Sequence, residues 1–293
     1  MTNTELLEVK GPGPDWDELQ SPPAEALATP DHLEGQDDLD LHKAQGHLLL
    51  ALMGKRVLRP GGMELTRCMI EALAVGPEDQ VVELAPGLGT TAALALACMP
   101  LTYTGVDHDP RMVDQLRARL EGPGRRFLLG HAAHTGLPGS SVDKVYGEAM
   151  LTMHADHRKR EIIREAYRIL KPGGSYAIHE LGLTPPAITA TDKATIHREL
   201  AQAIRVNARP LTAAEWEELL VQEGFRVRWQ HAAAMRLLEP GRMIADEGLL
   251  RTLRIAWNIV RLPAARGRIL TMRRVFRKHR KHINAVAFIA VKA

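Results

Sequence analysis

Residues 81–92 read Val81-Val82-Glu83-Leu84-Ala85-Pro86-Gly87-Leu88-Gly89-Thr90-Thr91-Ala92, and this stretch constrains the fold more than any other. The apolar run suits a central parallel strand covered on both faces. Gly87 and Gly89 remove side chains where a ligand must approach the backbone. Thr90, Thr91, Ala92 and Ala93 are small enough for the following helix to pack close to the sheet. The unpaired N–H groups and partial positive charge of a helix N-terminus welcome an anionic group there. The spacing Gly87-Leu88-Gly89-Thr90-Thr91-Ala92 also satisfies the Gly-x-Gly-x-x-Gly/Ala pattern of dinucleotide sites. Glu83 changes the weighting, because a carboxylate at this strand end repels a pyrophosphate and suits a ligand that carries an ammonium group.

The rest of the 293-residue chain is compatible with one large core plus additions. Aromatic residues make up only 4% of it, so the core must be largely Leu, Ile, Val, Ala and Met. Cys68 and Cys98 lie in apolar helical contexts without metal-ligand spacing, and they argue for a reducing compartment and against a disulfide framework. With no basic-then-apolar leader and no apolar run of membrane-spanning length, the expected location is the cytoplasm. The charge is divided unevenly. Lys10 is the only Lys or Arg among residues 1–40, whereas Asp246 and Glu247 are the only acids in 242–281.

Taken in order, 1–38 reads as an acidic flexible arm and 39–76 as an N-terminal helical cap. Residues 77–237 form the core, with a helical insertion at 184–210. Residues 238–282 form a basic helical insertion, and 283–293 the last strand. Strand patterns at 101–106, 126–129, 175–181 and 225–230, with a fourth strand entered at 140–146 and ending near 147–150, alternate with helical ones, which requires a mostly parallel α/β sheet. Thr212-Ala213-Ala214-Glu215 is a capping box opening a helix.

Several of these segments share one resemblance. Glu-Leu-Ala-x-Gly-x-Gly resembles the first motif of the class I S-adenosylmethionine-dependent methyltransferases. Asp107 follows the second strand, placed to accept both hydroxyls of an adenosine ribose. Gly130-His131-Ala132 with Leu137-Pro138 resembles the motif that holds the adenine edge, with His131 where an Asp is expected. Arg168-Ile169-Leu170-Lys171-Pro172-Gly173-Gly174 resembles the loop before strand five in the branch that includes the ubiquinone and menaquinone C-methyltransferases. The resemblance covers about 64–182. It implies a Rossmann-like seven-stranded sheet, six strands parallel and the last antiparallel, with helices on both faces; the N-terminal cap and the long helical lid inserted before the last strand are read from the residues, since many relatives carry only a short hairpin there. It implies S-adenosylmethionine as cofactor and S-adenosylhomocysteine as product. The cofactor-binding residues it points to are Glu83, Ala85, Gly87, Gly89, Asp107, His108, His131, Ala132 and Glu148.

Methyl transfer from a sulfonium is an in-line displacement, and a base is needed only if the acceptor loses a proton. Candidates are His154, His179, Glu180 and His197, with Glu180 and His154 preferred. Because successive strand residues point to opposite faces, at most one of His179 and Glu180 should enter the pocket. No Cys, His and carboxylate set has zinc spacing. The expected acceptor is a small molecule, lipophilic or a secondary metabolite.

The insertion at 238–282 reads as two helices broken at Leu262-Pro263. One reading is a lid whose apolar face covers the substrate pocket. Another is a basic amphipathic surface, 242–281, for anionic lipid headgroups. Nucleic acid is disfavoured because the aromatic interleaving of a base-stacking surface is absent. A homodimer stays open. The rival functions are a nucleic-acid or protein methyltransferase using the basic insertion, a non-catalytic S-adenosylmethionine-binding or regulatory protein, and a nicotinamide oxidoreductase.

Overall fold

The computed structural model describes residues 43–293, so the acidic arm at 1–38 and the first residues of the cap lie outside the described residues. Strands β1 (Gln80–Leu84), β2 (Thr102–Asp107), β3 (Arg125–Leu129), β4 (Val142–Glu148), β5 (Leu170–Leu183), β7 (Phe225–Ala234) and β8 (Ile283–Lys292) form one sheet in the order β3-β2-β1-β4-β5-β8-β7. The first five run parallel, and β8 is antiparallel to both β5 and β7. This is the expected sheet with one addition. β5 continues to Leu183, and Gly182 and Leu183 pair with a two-residue strand β6 (Leu211–Thr212), where the capping box begins. Thr212 and Glu215 cap helix α7 (Ala213–Gln222) reciprocally, as read from the sequence.

Alternation along the strands divides the core between two faces. Val82, Leu84 and Ile178 pack with α5 (Asp156–Ile169) and α7. Val81, Tyr103 and Ala177 pack with α2 (Gly62–Leu73), α3 (Thr90–Ala97) and α4 (Pro110–Leu120). Each such apolar side chain contributes about 1.5–3 kcal/mol of burial, so both helical layers are anchored to the strands that carry the glycine turn.

A third apolar cluster lies beyond the strand ends. It joins α1 (Gly46–Leu52) and α6 (Ala190–Ile204) to the insertion before β8. That insertion is three helices rather than the two expected: α8 (Pro240–Glu247), α9 (Leu249–Arg261) and α10 (Pro263–Lys278). Gly248, at φ 78° and ψ 161°, cannot continue a helix and splits the first segment. The cluster holds Leu49, Leu200, Ile255 and Met272, none of them exposed. Among the described residues, no helix is long and apolar enough to cross a membrane.

Candidate active site

The ends of β1, β2 and β4 open onto a cleft of about 640 Å³. The turn after β1 forms one wall. Ala85 and Gly87 take left-handed backbone angles, φ 58° and 52°, and a Cβ on Gly87 would meet nothing within 4 Å. The turn therefore leaves its backbone open to the cleft at Gly87. Gly89 has a different reason to be glycine. Its φ is 74°, and a Cβ there would lie 2.5 Å from Leu116 on α4. It does not line the cleft. This corrects the ligand-contact reading of Gly89, which serves helix packing.

Asp107 closes the turn from β2. Its Oδ2 accepts from the Gly87 N–H at 3.0 Å and its Oδ1 from the Asp109 N–H at 3.0 Å. Each oxygen keeps a further lone pair for the cleft. The His108 ring is 73% exposed and sits with Nδ1 3.5 Å from Asp107 Oδ1. His131 and Ala132 line the opposite wall, in a turn closed by the His134 N–H donating to the His131 carbonyl.

Two buried glutamates form the floor, and their environments push them in opposite directions. Glu83 Oε2 accepts from the hydroxyls of Tyr103 and Tyr146, the latter at 2.9 Å. Burial raises its carboxyl to about 7 against the pull of these hydrogen bonds. Glu148 is held from four sides. Oε2 accepts from Arg59 Nη1 at 2.7 Å and from the Thr91 hydroxyl, and Oε1 accepts from the Thr66 hydroxyl at 2.6 Å. The His179 Nδ1 lies 2.8 Å from the same Oε1. Burial works to raise the Glu148 carboxyl, but Arg59 and His179 outweigh it and hold it at about 2. Since the Gly61 N–H donates to His179 Nε2 at 3.1 Å, Nδ1 is the nitrogen that donates to Glu148.

The preferred base of the sequence reading is not in the site. Glu180 is wholly buried, and its oxygens accept from the N–H groups of Met150, Leu151 and Thr152 at 2.8–3.0 Å and from the Thr152 hydroxyl at 2.6 Å. It anchors the 3₁₀ turn Leu151–Met153, whose orphan amides need an acceptor. It reaches no cleft and cannot take a substrate proton. Nor does His179 enter the cleft: alternation separates the two side chains, but both faces are already filled at this depth. His197 is tied to the Pro210 carbonyl at 2.9 Å. His154 does line the cleft, half-buried, with burial and then Arg158 lowering its pKa.

Two residues at the site come from the N-terminal segment that the sequence showed only as a helical cap. Arg59 lines the cleft. Beyond its bonds to Glu148 and Thr91, its Nε and Nη2 are buried with no acceptor among the described residues. His47 stands between the cleft and a second, apolar chamber of about 70 Å³, lined by Leu50, Leu200, Met272 and Phe276 among others. His47, Leu58, Ala149, Met153 and Val206 line both spaces, so the two communicate, and among the described residues His47 is the only titratable side chain at their junction. Burial, then the nearness of His108, lowers its pKa. A histidine within the apolar periodicity of α1 was the available signal for it.

Comparison with known proteins agrees with this geometry. Residues 81–174 match the family model described as a methyltransferase domain. An uncharacterized protein of Haemophilus influenzae is 34% identical over 220 residues, covering 74% of this chain and 86% of its own. The uncharacterized methyltransferase YodH of Bacillus subtilis is 28% identical, over 65% of this chain and 76% of its own. Among solved structures, the Haemonchus contortus phosphoethanolamine N-methyltransferase 2, in complex with phosphomonomethylethanolamine and S-adenosylhomocysteine, superposes with a TM-score of 0.63. It is 17% identical, covering 90% of this chain and 60% of its own. The [4+2]-cyclase SpnF superposes at 0.59 and 18% identity, covering 78% of this chain and 80% of its own. At these identities the structural likeness speaks for the fold alone. The matches support the class and do not select the ubiquinone and menaquinone branch.

Proposed function

The chain belongs to the class I S-adenosylmethionine-dependent methyltransferases, and from that premise we propose that it methylates a small, largely apolar acceptor seated between α1, α6 and α10. The observation that carries this reading is the apolar chamber opening into the cleft beside His47.

The cleft residues fit the cofactor. The unpartnered Nε and Nη2 of Arg59 want an anionic acceptor, which the carboxylate of an amino-acid moiety provides. Glu83, when ionised, complements the ammonium group. The free lone pairs of Asp107 accept the ribose hydroxyls, and His131 and Ala132 border the adenine. When bound, S-adenosylmethionine supplies an electrophilic methyl group on a sulfonium. Everything else falls to the protein. Ala149 and Met153 fix the passage between the two spaces, and Leu58 and Val206 keep it apolar and poor in water. The apolar walls hold the acceptor with its reacting atom at the junction, which is where positioning accelerates an in-line displacement. At that point the His47 ring, kept neutral by burial, can take a proton from a hydroxyl, thiol or amine acceptor. His154 lies further along the cleft and serves as the second candidate base.

Label transfer tests the substrate class. With methyl-labelled S-adenosylmethionine and an extract of small molecules, proteins and RNA, label should enter the organic-extractable fraction. Label confined to acid-precipitable protein or RNA would reject a small-molecule acceptor.

A further inference from the structure

The apolar side of helix α9 faces away from the rest of the described residues. Of its apolar residues only Ile255 is buried, whereas Leu249, Leu250, Leu253, Trp257 and Val260 are each more than half exposed, Leu250 at 83%. At helical spacing these five fall within one arc of roughly 100°, the width of a stripe that normally packs on a core. The opposite side of the helix is the one docked on the protein: Ile255 packs in the third cluster, and Asn258 Nδ2 donates to the Met53 carbonyl at 3.1 Å. Leu262, in the turn after α9, and Leu270, on α10, are also exposed, at 40% and 50%.

The charges around this stripe have one sign. Arg254 and Arg261 border it, with Arg261 5.8 Å from the Trp257 ring. Arg266, Arg274, Arg280 and Lys281 are also exposed, and these six cations have no carboxylate partner among the described residues. No Asp or Glu occurs from 248 to 281. The two acids just before are turned inward. Glu247 accepts from the Arg56 and Val57 N–H groups at 2.9 Å each, and Asp246 from the Met63 N–H at 2.9 Å. Both therefore brace the segment that carries Arg59, and neither neutralises the arginines that border the stripe.

We propose that α9 is an interfacial helix that seats the protein on an anionic lipid surface. A stripe of Leu, Val and Trp edged by unpaired arginine is what an in-plane helix presents to headgroups: the apolar side chains enter the acyl boundary and the guanidinium groups meet lipid phosphates. Charge discriminates between this occupant and a second copy of the chain. Two copies meeting through the same isologous patch would bring their arginines together without acids between them. The surface is separate from the cleft and stands or falls on lipid binding alone.

Vesicle flotation of the full chain tests the assignment. Binding to phosphatidylglycerol/phosphatidylcholine vesicles is expected at ~0.1 M salt, with most of it lost at ~0.5 M, and none to pure phosphatidylcholine. The double variant Leu253→Glu/Trp257→Glu should partition at least about tenfold more weakly, with an unchanged melting temperature, since both side chains are exposed. Arg254→Glu/Arg261→Glu should abolish binding to the anionic vesicles. Trp257→Phe should still bind but lose the blue shift of tryptophan emission. No flotation of the full chain would overturn the proposal. So would flotation that the two double variants leave untouched, or a dimer in sedimentation velocity that Leu253→Glu/Trp257→Glu converts to monomer without any vesicle binding.

Discussion

Substituting Glu83 by Gln should make the protein more stable at neutral pH and leave it unchanged in acid. In the unfolded chain this carboxyl ionises near 4.5, whereas in the folded protein burial lifts it to about 7. A group raised on folding contributes stability that is fully present below 4.5 and is lost as pH rises through about 7. At about 1.4 kcal/mol per pH unit, that interval is worth ~3 kcal/mol. Gln keeps an oxygen for the Tyr103 and Tyr146 hydroxyls and carries no charge to desolvate. Urea unfolding of wild type and Glu83→Gln between pH 4 and 8 should give curves that coincide at the acid end and separate by ~3 kcal/mol at pH 8, with the variant more stable. The same variant should bind S-adenosylhomocysteine more weakly, because the ionised carboxylate is what complements an ammonium group. A stability difference independent of pH, or a wild type that is the more stable at pH 8, would refute the reasoning.

Glu148→Gln should behave in the opposite sense. Its carboxyl is held at about 2, so its contribution is present above 4.5 and lost as pH falls through about 2, and the variant should lose ~3 kcal/mol at neutral pH by leaving Arg59 buried beside a neutral partner. The two glycines of the turn should separate stability from binding. Gly89→Ala should cost ~1–3 kcal/mol in denaturant unfolding, because the added methyl overlaps Leu116, whereas Gly87→Ala should cost ~1 kcal/mol and mainly weaken cofactor binding in calorimetry. Glu180→Ala should destabilise by several kcal/mol, at ~1–3 kcal/mol for each buried donor left unpaired, as read by thermal unfolding. His47→Gln should lower turnover ~10²–10⁴-fold for an acceptor that must lose a proton, while S-adenosylhomocysteine affinity stays unchanged in calorimetry.

The parts of the fold legible in the sequence are those whose physics is local. The helix after the glycine turn and the Thr212/Glu215 box each complete their own hydrogen bonds within a few residues. The order of these local units then dictated the parallel sheet. What stayed hidden depends on contacts between distant segments. Arg59 meets Glu148 and Thr91 only after the cap folds against the strand ends, so a cleft residue stayed hidden within the helical cap. Glu180 was misplaced because alternation tells which residues share a face but not what covers that face. Here the turn after β4 lies over it and consumes all its acceptor capacity. Gly89 fitted the expected spacing for a reason, the approach of Leu116, that belongs to α4. The stripe on α9 was legible as amphipathic, but its outward orientation was not, since periodicity does not reveal which side of a helix is docked.

The central claim is that Glu83, Asp107 and Arg59 together recognise an aminoacyl-adenosine. Calorimetric titration of the full chain with S-adenosylhomocysteine, with NAD as the comparison ligand, tests it most directly. The expected result is one site per chain with a Kd on the order of micromolar for S-adenosylhomocysteine and no heat from NAD, with Asp107→Ala and Arg59→Lys each weakening binding by roughly ten- to a hundredfold. Absent or millimolar binding by the folded wild type, or wild-type affinity in both variants, would contradict it.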